Sequence, residues 1–131
     1  QAVLMRLDSD LAEAMLATVE RRLDEVELHW SPDAAACVVM ASEGYPGSYE
    51  KGVPISGLKE AEETGAVVFH AGTAAREGAL VTNGGRVLGV TARGDTLARA
   101  LDIAYAAVDS IHWDGAFCRR DIGYRALRCT E

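Results

Sequence analysis

The sequence lacks the long apolar run and the basic clusters that mark two large classes of protein. No apolar stretch approaches the roughly 18 residues that a membrane-spanning helix needs. At most two Lys or Arg residues adjoin, and the formal net charge of the 131 residues is −7. A nucleic-acid backbone would be an unfavourable partner for such a chain. We therefore expect neither a nucleic acid nor a membrane as partner, although a few arginines can still converge on a small anion.

Several short motifs are also missing. The three cysteines (Cys37, Cys118, Cys129) show no C-x-x-C spacing and are odd in number, which argues against a disulfide framework or a zinc knuckle. A reduced cytosolic compartment fits this usage better. No Rossmann fingerprint, no P-loop and no G-x-S-x-G nucleophile setting occurs. No His, Cys or Asp spacing predicts a metal site in this chain.

What the chain does contain is typical of a globular domain. Apolar residues make up 49% and charged residues 25%, which suits one domain, or one domain plus a piece of another. Because the sequence begins with Gln1, inside what reads as an ongoing element, we expect a fragment.

Residues 1–30 are predicted as one amphipathic helix and its exit. The apolar residues at spacings of three and four are Leu4, Leu7, Leu11, Met15, Val19, Leu23 and Val26.

The remaining segments predict clustered strands followed by one helix, which is an α+β arrangement and not a doubly wound sheet. The predicted strands are Ala35–Ser42, Val67–His70, Leu80–Thr82, Val87–Ala92 and Phe117–Ile122. The predicted turns are Gly44–Leu58, Arg76–Gly78 and Asp114–Gly115. A helix is predicted over Leu97–Ile111, with Asp95 or Thr96 as its cap. Lys59–Thr64 reads as a solvated acidic segment and Arg128–Glu131 as a frayed tail.

The run Thr82–Arg86 is the leading candidate for an anion site. Gly84 and Gly85 have no side-chain bulk, so backbone N–H groups beside Asn83 can approach an anion. The guanidinium of Arg86 can then close from the side with two parallel hydrogen bonds. Spacing alone favours the plainer interpretation, a glycine-rich hairpin whose arginine is solvated.

A second set of candidates lies near the C-terminus and at a strand end. On a strand, Arg119 and Arg120 would point to opposite faces, so at most one faces a cleft. Asp121 can orient an arginine or cap a turn, and a structural ion pair explains the group equally well. His70 ends an apolar strand, a position that can host a functional residue, yet a hydrogen-bonded structural histidine is the plainer interpretation.

Four stretches taken together resemble one enzyme family. They are ASEGYPGSYEKGVPISGL, VVFHAGT, TNGGRVLGVTARGDTLARA and HWDGAFCRRDIGYRAL, in this order between residues 35 and 127. Together they are similar to the C-terminal region of the phosphoribosylamine–glycine ligases (glycinamide ribonucleotide synthetases) of the ATP-grasp superfamily.

This resemblance implies a ligase of purine biosynthesis in the cytoplasm. The family joins glycine to 5-phosphoribosylamine with ATP and Mg²⁺ or Mn²⁺, through an acyl phosphate that the amine attacks. It further implies that residues 1–33 are the end of the ATP-grasp domain, a helix and exit strand. Residues 34–131 would be the C-terminal domain, a small, mostly antiparallel β-domain of barrel-sandwich or single-hybrid type with one packed helix.

The resemblance also implies roles for residues. Arg86 matches the arginine that holds the ribosyl phosphate in related enzymes, with Asn83, Gly84 and Gly85 as further donors. Arg119, Arg120, Asp121 and His70 would contact substrate or the missing domains. No catalytic residue and no metal ligand is expected here, because ATP and the metal would bind outside this fragment, which alone should be inactive.

Two alternatives stay open. One is a non-catalytic interaction or scaffold module that keeps the fold. The other is a related ATP-grasp ligase for another ribonucleotide, which the ending DGAFCRRDIG makes the weaker choice.

Overall fold

The computed structural model describes residues 1–128, and a long antiparallel pair of strands lies at its centre. The helices are α1 (Leu11–Val19), α2 (Leu58–Glu63), α3 (Leu97–Ser110) and α4 (Tyr124–Arg128). The strands are β1 (Ala34–Ser42), β2 (Val67–His70), β3 (Thr73–Arg76), β4 (Ala79–Thr82), β5 (Arg86–Gly94) and β6 (Ala116–Cys118). Two 3₁₀ turns, Leu4–Arg6 and Leu23–Glu25, flank α1.

The main sheet has the strand order β2-β5-β1-β6, and every neighbouring pair is antiparallel. In the β1–β5 pair, Ala34 lies opposite Gly94 and the register continues to Met40 opposite Leu88. An irregularity then shifts the register so that Ala41 faces Arg86. Strands β3 and β4 form a separate hairpin. The register shift therefore lies where the glycine-rich turn enters β5.

Helix α3 covers one face of the main sheet. Val38 and Val90 are opposite each other in the register and are completely buried in the core beneath it. The inward face of α3 carries the small residues Ala100, Ala104 and Ala107, none of them exposed. Small side chains let the helix lie close to the strands, so the core is thin and dominated by valine and alanine. Within residues 1–128, no helix is both long and apolar enough to cross a bilayer.

The proline- and glycine-rich stretch before α2 contains turns, as predicted, and also a short extended piece. The extended piece runs beside β4, where the Gly52 N–H donates to the Thr82 carbonyl at 2.6 Å and the Thr82 N–H donates to the Val53 carbonyl at 2.8 Å. The buried hydroxyl of Thr82 accepts from the Val53 N–H at 3.1 Å. This segment thus supplies β4 with a partner on its second edge.

The α+β class and the antiparallel sheet are confirmed, and so are most of the predicted elements. Strands β1, β2 and β5 match their predicted positions closely. Helix α3 begins at Leu97, and the Thr96 hydroxyl caps it by accepting from the Arg99 N–H at 3.2 Å. The hairpin turn places Glu77 and Gly78 in the left-handed region, with φ of 50° and 81°. That backbone joins two antiparallel strands tightly.

The single helix predicted over residues 1–30 is wrong. Helix α1 spans only nine residues, and the chain then turns through Arg21 in the left-handed region with φ of 60°. The segment closes on itself, because Leu7 bridges Trp30 and the Asp8 N–H donates to the His29 carbonyl at 3.0 Å. The apolar periodicity is real, but the turn at Arg21 divides it between separate elements.

Three shorter predictions also need correction. The acidic segment after Gly57 is helix α2. Its charged residues are exposed, while Ala61 is completely buried. Two helices, and not one, therefore pack on the sheet. The last strand ends at Cys118 and not at Ile122, so Arg119 and Arg120 do not alternate on a strand. Arg128 is the final residue of α4, and the rest of the predicted tail lies outside the described residues.

The exposed apolar surface of α1 generates a prediction. Met15 and Val19 are 62% and 80% exposed, although neither side chain gains by contact with water. We expect the 131-residue chain to self-associate through this surface. The double substitution Met15→Gln and Val19→Gln should lower the association constant measured by sedimentation velocity over a concentration series. Glu13→Gln on the same helix is the control, and equal association of all three proteins would contradict the prediction.

Candidate functional site

The glycine-rich turn before β5 is packed tightly against the chain that leaves β2. A Cβ atom at Gly72 would lie 2.7 Å from the Cα atom of Gly84, and a Cβ atom at Gly84 would lie 2.9 Å from Gly72 Cα. The Asn83 N–H donates to the Gly72 carbonyl at 2.7 Å. Backbone packing therefore requires glycine at both positions, whether or not an anion binds.

Two backbone donors of the turn nevertheless have no partner within residues 1–128, although Gly85 itself is buried. Its carbonyls are occupied: Gly85 O accepts from the Ser42 N–H at 2.8 Å and Gly84 O from the Ser42 hydroxyl at 3.3 Å. In the part of the chain that the structure describes, the N–H groups of Gly84 and Gly85 donate to no protein acceptor. Backbone N–H groups without a partner are the elements of an anion site.

Arg86 lies at the start of β5, directly after those two N–H groups. Its side chain is exposed, and among residues 1–128 no carboxylate or carbonyl pairs with its guanidinium. It borders a surface pocket of about 530 Å³. The other lining residues are Gln1, Val39, Tyr45, Ala71, Gly85, Leu88 and Gly89. The pocket thus combines one cation with mostly apolar and backbone walls.

His70 is near this region but does not line the pocket. It ends β2, is exposed, and its Nδ1 lies 3.3 Å from the Thr73 hydroxyl. Thr73 begins β3, so this contact joins the two strands across the short link between them. The geometry favours the plainer interpretation, a histidine with a structural hydrogen bond.

Arg119 and Asp121 form an ion pair with each other. Arg119 Nε donates to Asp121 Oδ1 at 2.8 Å and Arg119 Nη2 donates to Oδ2 at 2.6 Å. This two-point contact lowers the pKa of the Asp121 carboxyl and raises the pKa of Arg119. Both side chains are exposed, so the pair orients Arg119 more than it stabilises the fold.

Arg120 has a different carboxylate partner. Its Nη2 lies 2.6 Å from Asp109 Oδ1 on α3, and its guanidinium lies 5.5 Å from the centre of the Tyr105 ring. The Tyr105 hydroxyl donates to the Arg119 carbonyl at 3.0 Å and accepts from the Ile122 N–H at 3.1 Å. These contacts hold the segment that follows β6 against α3.

The structure therefore brings together only some of the predicted site residues. Arg86 and Phe117 pair with opposite sides of Ala41, so about 10 Å separates their backbones across two strand spacings. Arg119 lies two residues further on, and it lines a different pocket from Arg86. Asn83, Gly84, Gly85 and Arg86 form one group, and the C-terminal arginines form another.

Sequence reasoning missed Tyr45 and Val39 as lining residues of the Arg86 pocket. Val39 is 41% exposed on the sheet face opposite α3, whereas its neighbours Val38 and Met40 are buried. The sequence predicts only that Ala35–Ser42 is a strand. The period-two alternation could have indicated which residues face away from the helix, but an uninterrupted apolar run conceals that pattern.

A second pocket, of about 390 Å³, lies between α3 and β6. Trp113, Phe117 and Cys118 line it, and the Asp109–Arg120 pair is at its edge. The indole N–H of Trp113 is buried and has no hydrogen-bond partner in the described residues. Burial raises the pKa of the Cys118 thiol, Asp109 raises it further, and Arg120 partly opposes both.

Among the described residues there is no group of three or more His, Cys, Asp or Glu side chains that could hold a metal ion. A divalent cation needs several such ligands in one place. The residues present therefore do not fit a metal centre, and none of the geometry above depends on one.

A known protein family matches most of the chain. The family described as phosphoribosylglycinamide synthetase, C domain, matches residues 35–125. The chain belongs to this family. The match begins one residue after the start of β1 and ends within α4, so it includes both groups of arginines.

Similar proteins carry a consistent name. The chain is 54% identical over 127 residues to a phosphoribosylamine–glycine ligase of Vibrio cholerae, and the match covers 97% of this chain and 30% of the relative. It is 56% identical over 131 residues to the chloroplastic phosphoribosylamine–glycine ligase of Arabidopsis thaliana, covering 98% of this chain and 25% of the relative. The chain thus spans less than a third of the length of these relatives.

A solved structure has a similar fold. The phosphoribosylamine–glycine ligase of Thermotoga maritima superposes with a TM-score of 0.68 at 33% identity, over 85% of this chain and 28% of that one. The architecture described above, an α+β fold with antiparallel sheets and few helices, is similar to the corresponding part of that structure.

The Cys118 environment generates a prediction about thiol chemistry. Because its pKa is raised, less thiolate is present near neutral pH, and iodoacetamide should alkylate it more slowly than a small free thiol at the same pH. Asp109→Asn should lower the pKa and speed alkylation, since it removes one acidic neighbour and frees Arg120. Peptide mass spectrometry against pH follows Cys118 separately from the other cysteines. A rate equal to that of the small thiol across the pH range would contradict the assignment.

Proposed function

We propose that this chain is the C-terminal part of a phosphoribosylamine–glycine ligase of purine biosynthesis. The longer protein would join glycine to 5-phosphoribosylamine to give glycinamide ribonucleotide, with ATP converted to ADP and phosphate. The role of this part is to close the pocket for the ribosyl phosphate. The names of the relatives support the reaction, and the geometry around Arg86 supports the role.

One observation carries the role: among residues 1–128, Arg86 has no carboxylate partner, unlike Arg119 and Arg120, and it adjoins two N–H groups without acceptors. A phosphate could accept from the Arg86 fork and from the Gly84 and Gly85 N–H groups together. We call this set of three donors the phosphate grip. It would fix the distance between the phosphate and the reacting amine, and this positioning would raise the reaction rate. Asn83 would border the grip, since its own N–H is occupied by Gly72.

We place the other components outside this chain. ATP and Mg²⁺ or Mn²⁺ would bind to domains of the longer protein that precede this chain. Residues 1–33 would be the end of an ATP-grasp domain, and residues 34–131 the C-terminal domain, of barrel-sandwich or single-hybrid type. The start of the family match at residue 35 supports that boundary. Arg119, Arg120, Asp121 and His70 would contact substrate or those domains, in the cytoplasm.

A non-catalytic interaction module is the second candidate. The exposed apolar side chains of α1 favour it, because such surfaces mark sites of protein–protein contact. The reading frame of the gene distinguishes the two. A frame that continues upstream through an ATP-grasp domain supports the ligase, and one that starts at residue 1 supports the module.

The phosphate grip predicts a selective kinetic effect. In the longer ligase, Arg86→Ala should raise the KM for phosphoribosylamine by one to two orders of magnitude. Loss of a charge-assisted hydrogen bond costs about 1.5–3 kcal/mol. The KM values for glycine and ATP should change little, as measured by steady-state kinetics with each substrate varied in turn.

Two further variants serve as controls. Arg86→Lys keeps the charge but not the planar fork, so it should restore part of the affinity. Arg119→Ala removes an arginine that already has a carboxylate partner, and its effect on phosphoribosylamine should be smaller. Equal increases in all three KM values for Arg86→Ala would indicate a structural role and would contradict the proposed grip.

A further inference from the structure

Tyr45 is fixed to the same backbone as the glycine turn. Its N–H donates to the Ser42 carbonyl at 3.1 Å. Ser42 in turn donates to both Gly84 and Gly85 through its hydroxyl and its N–H. The end of β1, Tyr45 and the glycine turn are therefore connected through one serine.

The ring of Tyr45 lies directly on Gly85. A Cβ atom at Gly85 would be 2.1 Å from Cδ2 of the ring, closer than any real contact between carbon atoms. Gly85 does not adopt a positive φ, so backbone conformation does not demand glycine there. The absent side chain instead makes room for the aromatic ring.

The ring is packed on one side and open on the other. Tyr45 remains 37% exposed and lines the pocket that Arg86 borders. Its hydroxyl has no hydrogen-bond partner among residues 1–128. The ring of Tyr49, 6.4 Å away, faces a different pocket. Tyr45 thus presents an apolar surface and an uncommitted polar group beside the candidate phosphate site.

We infer that Tyr45 determines specificity in this site by contacting the sugar of a phosphorylated pentose. The phosphate lies against Arg86 and the Gly84 and Gly85 N–H groups, the ring of Tyr45 packs on the sugar, and its hydroxyl exchanges a hydrogen bond with a sugar hydroxyl. This inference rests on the proposed function. It adds a residue that distinguishes a sugar phosphate from phosphate alone.

The test compares two probes on the 131-residue chain, ribose 5-phosphate and inorganic phosphate. Both are titrated while the amide resonances of Gly84 and Gly85 are followed by NMR. Tyr45→Phe keeps the ring over Gly85 and removes only the hydroxyl. It should weaken ribose 5-phosphate roughly three- to tenfold, the effect of one neutral hydrogen bond, and leave inorganic phosphate unchanged. Arg86→Ala should weaken both probes.

Tyr49→Phe is the matched control, because it removes the hydroxyl of the neighbouring tyrosine outside the pocket. It should leave both affinities unchanged. If Tyr45→Phe affects the two probes equally, or neither of them, while Arg86→Ala still weakens both, the sugar contact is overturned and the phosphate site stands. If neither probe shifts Gly84 and Gly85, or Arg86→Ala has no effect, the inference and the proposed site both fail.

Discussion

The antiparallel pairing of β1 with β5 is the contact on which the other elements depend. It joins two nine-residue strands that are far apart in sequence, and β2 and β6 add to its two outer edges. Helix α3 then covers the face that carries Val38 and Val90. The irregularity after Met40 ends the regular ladder. A bulge of this kind bends a strand and redirects its side chains. Here it adjoins the turn that carries Arg86.

The arginines divide according to whether the fold already uses their charge. Arg93 lies 3.5 Å from an Asp8 carboxylate oxygen and 4.0 Å from one of Asp33, and so ties the N-terminal segment to β5. Arg119 and Arg120 each have an aspartate partner. Such exposed pairs add little stability, but they occupy the donors that an anion would need. Among residues 1–128, Arg21, Arg76 and Arg99 also lack a carboxylate partner, so Arg86 is distinguished by its place directly after the Gly84 and Gly85 N–H groups.

Local patterns predicted the strands well and the contacts between segments poorly. Val67–His70 and Arg86–Gly94 are rich in β-branched residues and bounded by glycine, which was sufficient to find them. The N-terminal helix was overextended, because periodicity carries no sign of a residue such as Arg21 adopting a left-handed backbone. The anion-site prediction rests on the two glycines before Arg86 and stays a prediction. It did not reveal that Gly72 and Tyr45 are the reason for those glycines, since both lie far from the turn in sequence.

The N-terminal segment leaves and rejoins the domain at the same place. The Asp8 N–H bonds to the His29 carbonyl, and the His29 N–H donates to the Ser9 hydroxyl at 2.7 Å. The residues between them form a loop whose two ends are hydrogen-bonded to each other. The length of this loop therefore does not affect where the chain enters β1. We expect that the loop can be shortened or exchanged without altering the register of the sheet. In this respect α1 is a replaceable insert, whereas the glycine turn is not, because Gly72, Tyr45 and Ser42 all constrain it.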